Sequence, residues 1–247
     1  MTAPLLYCGD TSLRSAAAYL AGLFATWKWE FDYCPSDQAV APSFVRGRRL
    51  VILSDYPSAR MNAETQRELV DAVSAGTSLL MIGGWESFHG LGGDWDQSLI
   101  ATALPVIIES HDDRFNCDHP VLVRQISDHP SAAGLPWEKR PPTIGGFNRF
   151  RAQLETQVVL EVDRLRSRFH NGVWQVDVLE THPLLVFGTH HRGKTAALAT
   201  DAAPHWVGGL VDWGDGRVAG QADGADAIEV GDLYAQFWRQ LLGYLLA

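Results

Sequence analysis

Three cysteines in 247 residues, Cys8, Cys34 and Cys117, are too few for a disulfide framework, and none form a Cys-x-x-Cys pair. Reduced thiols and a cytoplasmic location are the expectation. Positive charge is scarce as well. Twenty Lys and Arg stand against 29 Asp and Glu, a formal net charge of −9. That argues against nucleic acid or an anionic membrane as the main partner. No run of 18 apolar residues occurs, so no membrane span is expected. The chain opens on strand-like Pro4-Leu5-Leu6-Tyr7-Cys8, without the basic and long apolar regions of a signal peptide. No Gly-x-Gly-x-x-Gly follows that first strand, and Gly-x-Ser-x-Gly and Walker A patterns are absent. His111, Asp112, Asp113, His119 and His129 match no standard metal-ligand spacing. No cofactor and no metal are therefore expected.

A 46% hydrophobic content supports a full core, and 247 residues favour one large α/β domain over residues 1–247. Nine tryptophans either fill that core or furnish a ligand or oligomer surface. Residues 4–9 read as a strand ending at Gly9-Asp10, after which Thr11 or Ser12 can cap a helix. Leu13, Ala17, Leu20, Phe24 and Trp27 recur at helical spacing. Residues 31–34 form a second strand, and Leu50 to Ser54 a buried third. Asn62 caps a helix over about 63–75 that Gly76 stops, and Ser78 to Ile82 form the next strand. This alternation is the signature of a parallel, doubly wound sheet.

The middle of the chain is less regular. Residues 84–104, rich in Gly, Asp and Trp, read as a long functional loop around a short helix. Residues 110–150 carry Pro and His with little periodicity. Residues 158–160, 184–187 and 196–199 give three more strands, the last two joined by a hairpin turn at His190-His191-Arg192-Gly193-Lys194. Residues 214–230, apolar-poor, read as a mobile loop or arm, and a closing helix over about 232–246 aligns Leu233, Phe237, Leu241 and Leu245.

In an open α/β sheet, ligands bind outside the carboxyl ends of the strands. Four such ends carry candidate groups. Asp10 follows the first strand, and Asp55 the third. The fourth breaks at Gly83-Gly84 and then presents Trp85 and Glu86. Asp201 follows the strand ending Ala199-Thr200, with His205 and Trp206 one turn on. Each has a plainer reading: a cap or turn for Asp10 and Asp55, an ion pair for Glu86, a loop hydrogen bond for His205, core for Trp85. Their convergence on one sheet edge is the argument for a site. Glu86, Asp201 and His205 are the candidate acid/base groups. Asp10, Asp55, Gly84, Trp85 and Trp206 are the candidate ligand-binding residues.

Four blocks carry a family resemblance. They are Gly83-Gly84-Trp85-Glu86-Ser87-Phe88-His89-Gly90, Asp112-Asp113-Arg114, Gly145-Gly146-Phe147-Asn148-Arg149 and Thr200-Asp201-Ala202-Ala203-Pro204-His205-Trp206. In this order they resemble the "putative glutamine amidotransferase" family of class I amidotransferase-like domains, and more remotely ThuA-like proteins. The resemblance runs over about residues 4–246. It implies an α/β, class I glutamine amidotransferase-like (flavodoxin-like) sandwich with a mainly parallel central sheet, in a bacterial cytoplasmic protein. Working amidotransferases place a nucleophilic cysteine after the strand equivalent to residues 78–83, where Trp85 or a neighbour stands here. The fold carries over, and glutaminase chemistry does not. The expected function is binding, hydrolysis or isomerisation of a polar small molecule. The alternatives are a homo-oligomeric interaction protein that buries its tryptophans in a subunit interface, and a true glutamine amidotransferase.

Overall fold

The computed structural model describes residues 3–247. In chain order its elements are β1 (Leu5–Gly9), α1 (Ala18–Trp27), β2 (Phe31–Cys34), α2 (Pro42–Val45), β3 (Leu50–Ser54), α3 (Ala63–Ala75) and β4 (Ser78–Ile82). Then come β5 (Val106–Ile108), β6 (Arg114–Gln125), β7 (Thr143–Asn148), β8 (Phe150–Ala152), β9 (Gln157–His170), β10 (Val173–His190) and β11 (Gly193–Leu198). The chain closes with α4 (Pro204–Val207), β12 (Arg217–Gly220), β13 (Ile228–Gly231) and α5 (Asp232–Leu246).

Nine strands form one sheet in the order β2-β1-β3-β4-β11-β10-β9-β6-β7. The pairs from β2 through β11 are all parallel, and those from β11 through β7 are all antiparallel. The fold is thus an α/β sandwich whose parallel half has the flavodoxin-like strand order, continued by an antiparallel half. The parallel half follows from the sequence physics. β1, β3 and β4 are buried at every position, so they read as unbroken apolar runs with no alternation. α3 is bounded as its caps dictate: the Asn62 side chain accepts from Thr65 N at 2.9 Å, and Gly76 takes φ +123° at the other end.

The strand order reverses direction between β1 and β3. The chain leaves β1 outward to β2, then returns to β3 and runs the other way through β4. The crevice over that reversal is where open α/β sheets hold ligands. Here β1 and β3 end almost in contact. Asp10 N donates to Ser54 O at 2.8 Å, and an ideal Cβ on Gly9 would lie 1.5 Å from that oxygen.

Three expectations need correction. Thr11 and Ser12 cap no helix. Asp10 and Thr11 sit in the left-handed region (φ 52° and 59°), so the chain turns sharply and α1 starts only at Ala18, without a side-chain cap. Residues 214–230 are no free loop, because β12 and β13 pair antiparallel, and Gly220 and Ile228 pack against Gly22 of α1. Residues 110–150 hold two sheet strands, β6 and β7. β6 is fully buried only at Val121 and Val123 and its register breaks between Asn116 and Val121, which erased the period-2 signal.

Candidate functional site

The carboxyl ends of β1, β3, β4 and β11 bring the sequence candidates to one edge of the sheet. Asp10 is 1% exposed and Asp201 6% exposed, while Asp55 is half-buried. The Tyr7 hydroxyl donates to Asp10 Oδ2, and Asp10 Oδ1 has no hydrogen-bond partner among the described residues. Burial, followed by the charges of Asp201 and Asp55, pushes the Asp10 carboxyl well above the usual range. Burial, then the Asp55 charge, raises Asp201 to about 7, even though it accepts the Ala203 N–H at 3.0 Å. Asp55 is raised to about 6, again chiefly by burial. Glu86 adds repulsion to Asp55, while His205 and the Glu86 N–H, which donates to Asp55 Oδ1 at 2.6 Å, pull the other way. Asp10 thus feels the charges of Asp201 and Asp55, and Asp201 feels that of Asp55, across three separate strand ends.

The backbone is shaped for this. Asp10, Thr11 and Asp55 all have positive φ, a conformation that costs energy in a side-chain-bearing residue. Gly84 could not be otherwise: at φ +157° its missing Cβ would fall 2.3 Å from Asp55 Oδ1. Gly84 thus makes room for the Asp55 carboxyl, while the absent Cβ of Gly83 would fall 2.1 Å from Ala199 O. Trp85 follows the pair.

Around the carboxyls stands a mixed rim. Trp85 is 41% exposed and meets the His205 ring edge-on, centroids 6.1 Å apart. The Arg114 guanidinium lies over the Trp85 ring at 4.5 Å. Asp112 holds that guanidinium with two bonds, of 2.9 and 2.8 Å. Glu86 is half-buried, and burial raises its carboxyl. Trp206 sits differently from its expected place as a wall. It is 2% exposed, its Nε1 donates to Asn116 Oδ1 at 2.7 Å, and its ring covers Gly146, whose Cβ would lie 2.4 Å away. It anchors α4 and so positions His205. Among the described residues, no group of three or more His, Cys, Asp or Glu side chains is arranged to hold a metal ion.

Sequence reasoning gave no role to the network that fixes the loop after β4. Buried Asp113 accepts His89 N at 2.9 Å, Gly90 N at 3.0 Å and Asn148 Nδ2 at 2.7 Å. Asn148 in turn accepts Gly84 N at 2.9 Å and donates to Gly84 O at 3.1 Å. The signal was present, since Asp113 and Asn148 lie in two of the four motif blocks. Asp113→Ala would strand three buried donors, so a loss of about 3 kcal/mol is expected. Urea unfolding checks this, and amide exchange should speed up across residues 84–96. A loss no larger than that of an exposed Asp94→Ala would contradict the assignment.

The comparisons fit this geometry. Two solved structures align along the whole chain: the cytoplasmic proteins STM3548 (21% identity, TM-score 0.73) and STM1381 (22%, 0.73) of Salmonella typhimurium, each over 98% of both chains. A ThuA-like protein from Parabacteroides merdae aligns at 13% identity and TM-score 0.53, over 80% of this chain and 79% of its own. At these identities the likeness is one of fold. No curated protein matches the sequence. Residues 47–218, which hold all four motif blocks and the rim of the site, match the family described as "Putative glutamine amidotransferase" (GATase1-like). This chain belongs to that family.

Proposed function

We propose that the strand edge over β1, β3 and β11 binds a polar small molecule and exchanges protons with it near neutral pH. The carrying observation is the burial of Asp10, Asp55 and Asp201 at neighbouring strand ends, with Asp10 and Asp201 feeling the charge of Asp55 and with Asp55 and Asp201 raised to about 6 and about 7. Groups poised there serve as general acid and base, and such shifts cluster at functional sites. Asp201, the higher of the two, is the proton donor, and Asp55 the acceptor. Glu86 and His205 orient the ligand at the rim, and Trp85 with Arg114 gives it a flat, partly cationic wall. Hydrolysis or isomerisation of a polar substrate is the reaction class this set supports.

Glutamine hydrolysis through a cysteine lacks a nucleophile here. Cys8 lies buried in β1, and Cys117 is in β6 with its thiol pushed up to about 11 by burial. Cys34, drawn down to about 7 by a hydrogen bond with Cys8, ends β2, three strands away from β4 in the sheet. Three reduced thiols and the Salmonella fold relatives support a cytoplasmic location. The purified protein should release no ammonia from glutamine. It should gain thermal stability from members of a panel of sugars, amides and amino acids, and Asp55→Asn or His205→Ala should abolish that gain. Ammonia release lost on Cys34→Ala would replace this reading with glutaminase chemistry.

A further inference from the structure

A run of exposed apolar side chains, from Phe169 to Leu179, extends beyond the carboxyl end of β11. The β6 ladder leaves β9 at Asp163, and β11 leaves β10 at Leu185. Beyond those points β9 and β10 pair only with each other, as a two-stranded ribbon closed by Asn171-Gly172 (φ 51° and 79°). The register gives the ribbon two unlike faces. Phe169 pairs with Trp174, Ser167 with Val176, and Leu165 with Val178, so these six share one face. Phe169, Trp174, Val176 and Val178 are 61%, 66%, 61% and 56% exposed, and the two rings touch with centroids 5.1 Å apart. The other face carries Arg164, Arg166, Arg168 and Asp177. Two of its arginines are paired within the ribbon, Arg168 to Asp177 at 2.5 Å and Arg164 to Glu180 at 3.0 Å.

We propose that this ribbon is a dimerisation arm, and that its apolar face is covered by the same face of a second copy of this chain. Three observations select that occupant. A two-stranded ribbon standing alone in water is marginal, so this one needs a cover. The apolar face bears no charge and only one polar side chain, Ser167, so two copies meet across a two-fold axis without like-charge contact. The area also suffices. The four exposed side chains offer on the order of 400 Å² per copy, the scale at which an apolar patch marks an interaction site. With Leu165 and Ser167 of the same face, arm on arm removes on the order of 1,000 Å² in total, the size that a biological interface should clear.

Sedimentation velocity on the full chain at micromolar concentration tests this. Two copies are expected, and Trp174→Lys with Val176→Lys should weaken association at least ~100-fold, leaving single copies. Because these side chains lie outside the core, the single copies should still fold and unfold cooperatively, with only the uncovered ribbon loosened. Phe169→Glu with Val178→Glu, on the same face, should have the same effect. A wild-type protein that stays single at every concentration would overturn the proposal. So would a dimer that survives both double substitutions, or a single copy that instead binds phosphatidylcholine vesicles.

Discussion

Asp201→Asn is expected to make this protein more stable at pH 8, and clearly less so at pH 5. A carboxyl that keeps its proton up to about pH 7 when folded, but loses it near the ordinary 3.8 when unfolded, binds more protons in the native state between those values. Stability from this group is fully present below about pH 4 and is lost as pH rises through about 7. At pH 8 the native chain holds an ionised Asp201 beside Asp55 in a desolvated site. A shift from 3.8 to about 7 corresponds to on the order of 4 kcal/mol. Coupling to Asp55 spreads part of it over the pair, so a gain of about 2–3 kcal/mol for the amide is expected. The amide oxygen still accepts the Ala203 N–H, so the turn into α4 is kept. Urea titrations of both proteins at pH 5 and pH 8 give the double difference directly. Equal effects at the two pH values would mean that Asp201 ionises normally. Ligand stabilisation should disappear in the same variant, because the proton donor is gone.

Gly9→Ala should be the most damaging single methyl group in the chain. At φ +128° the backbone itself resists a side chain, and the new carbon would fall 1.5 Å from Ser54 O. Neither partner can yield, because both belong to adjacent buried strands in register. Strain and overlap together give about 4 kcal/mol or more, a large part of a typical domain's 5–15 kcal/mol. Gly47→Ala separates the two causes. Gly47 also has positive φ (+72°) but nothing within 4 Å of its absent Cβ, so ~1 kcal/mol is expected there. Denaturation midpoints that fall equally in both variants would show that the close approach of β1 and β3 is not what requires glycine at position 9.

The parts of this fold written in strong local signals were legible. β3 and α3 begin and end where the apolar run and the Asn62 and Gly76 caps place them, and the gathering of Asp10, Asp55, Trp85 and Asp201 at one edge follows from strand order. Elements whose stability comes from distant partners were not legible. β6 is mostly half-buried or exposed and is bulged, and β12 and β13 become strands by packing on α1. The dimerisation arm is a different case. Asn171-Gly172 between alternating apolar residues is a strong hairpin signal, and the exposed tryptophan of the arm, Trp174, lies outside the motif blocks. Within the site, Trp206 had the right address and another task, because Gly146 leaves room for its ring to be buried. Asp113 and Asn148 are visible only through contacts separated by tens of residues.

Carbon-13 NMR titration of the aspartate side-chain carboxyls tests the central claim most directly. Two coupled ionisation steps are expected at about pH 6 and about pH 7, assigned to Asp55 and Asp201 by their loss in the two Asn variants. With Asp55→Asn, the remaining Asp201 step should move down, since a like charge has been removed. If instead every aspartate has ionised below about pH 5, near its ordinary value, the strand edge holds solvated carboxylates and the acid/base reading of this site is wrong.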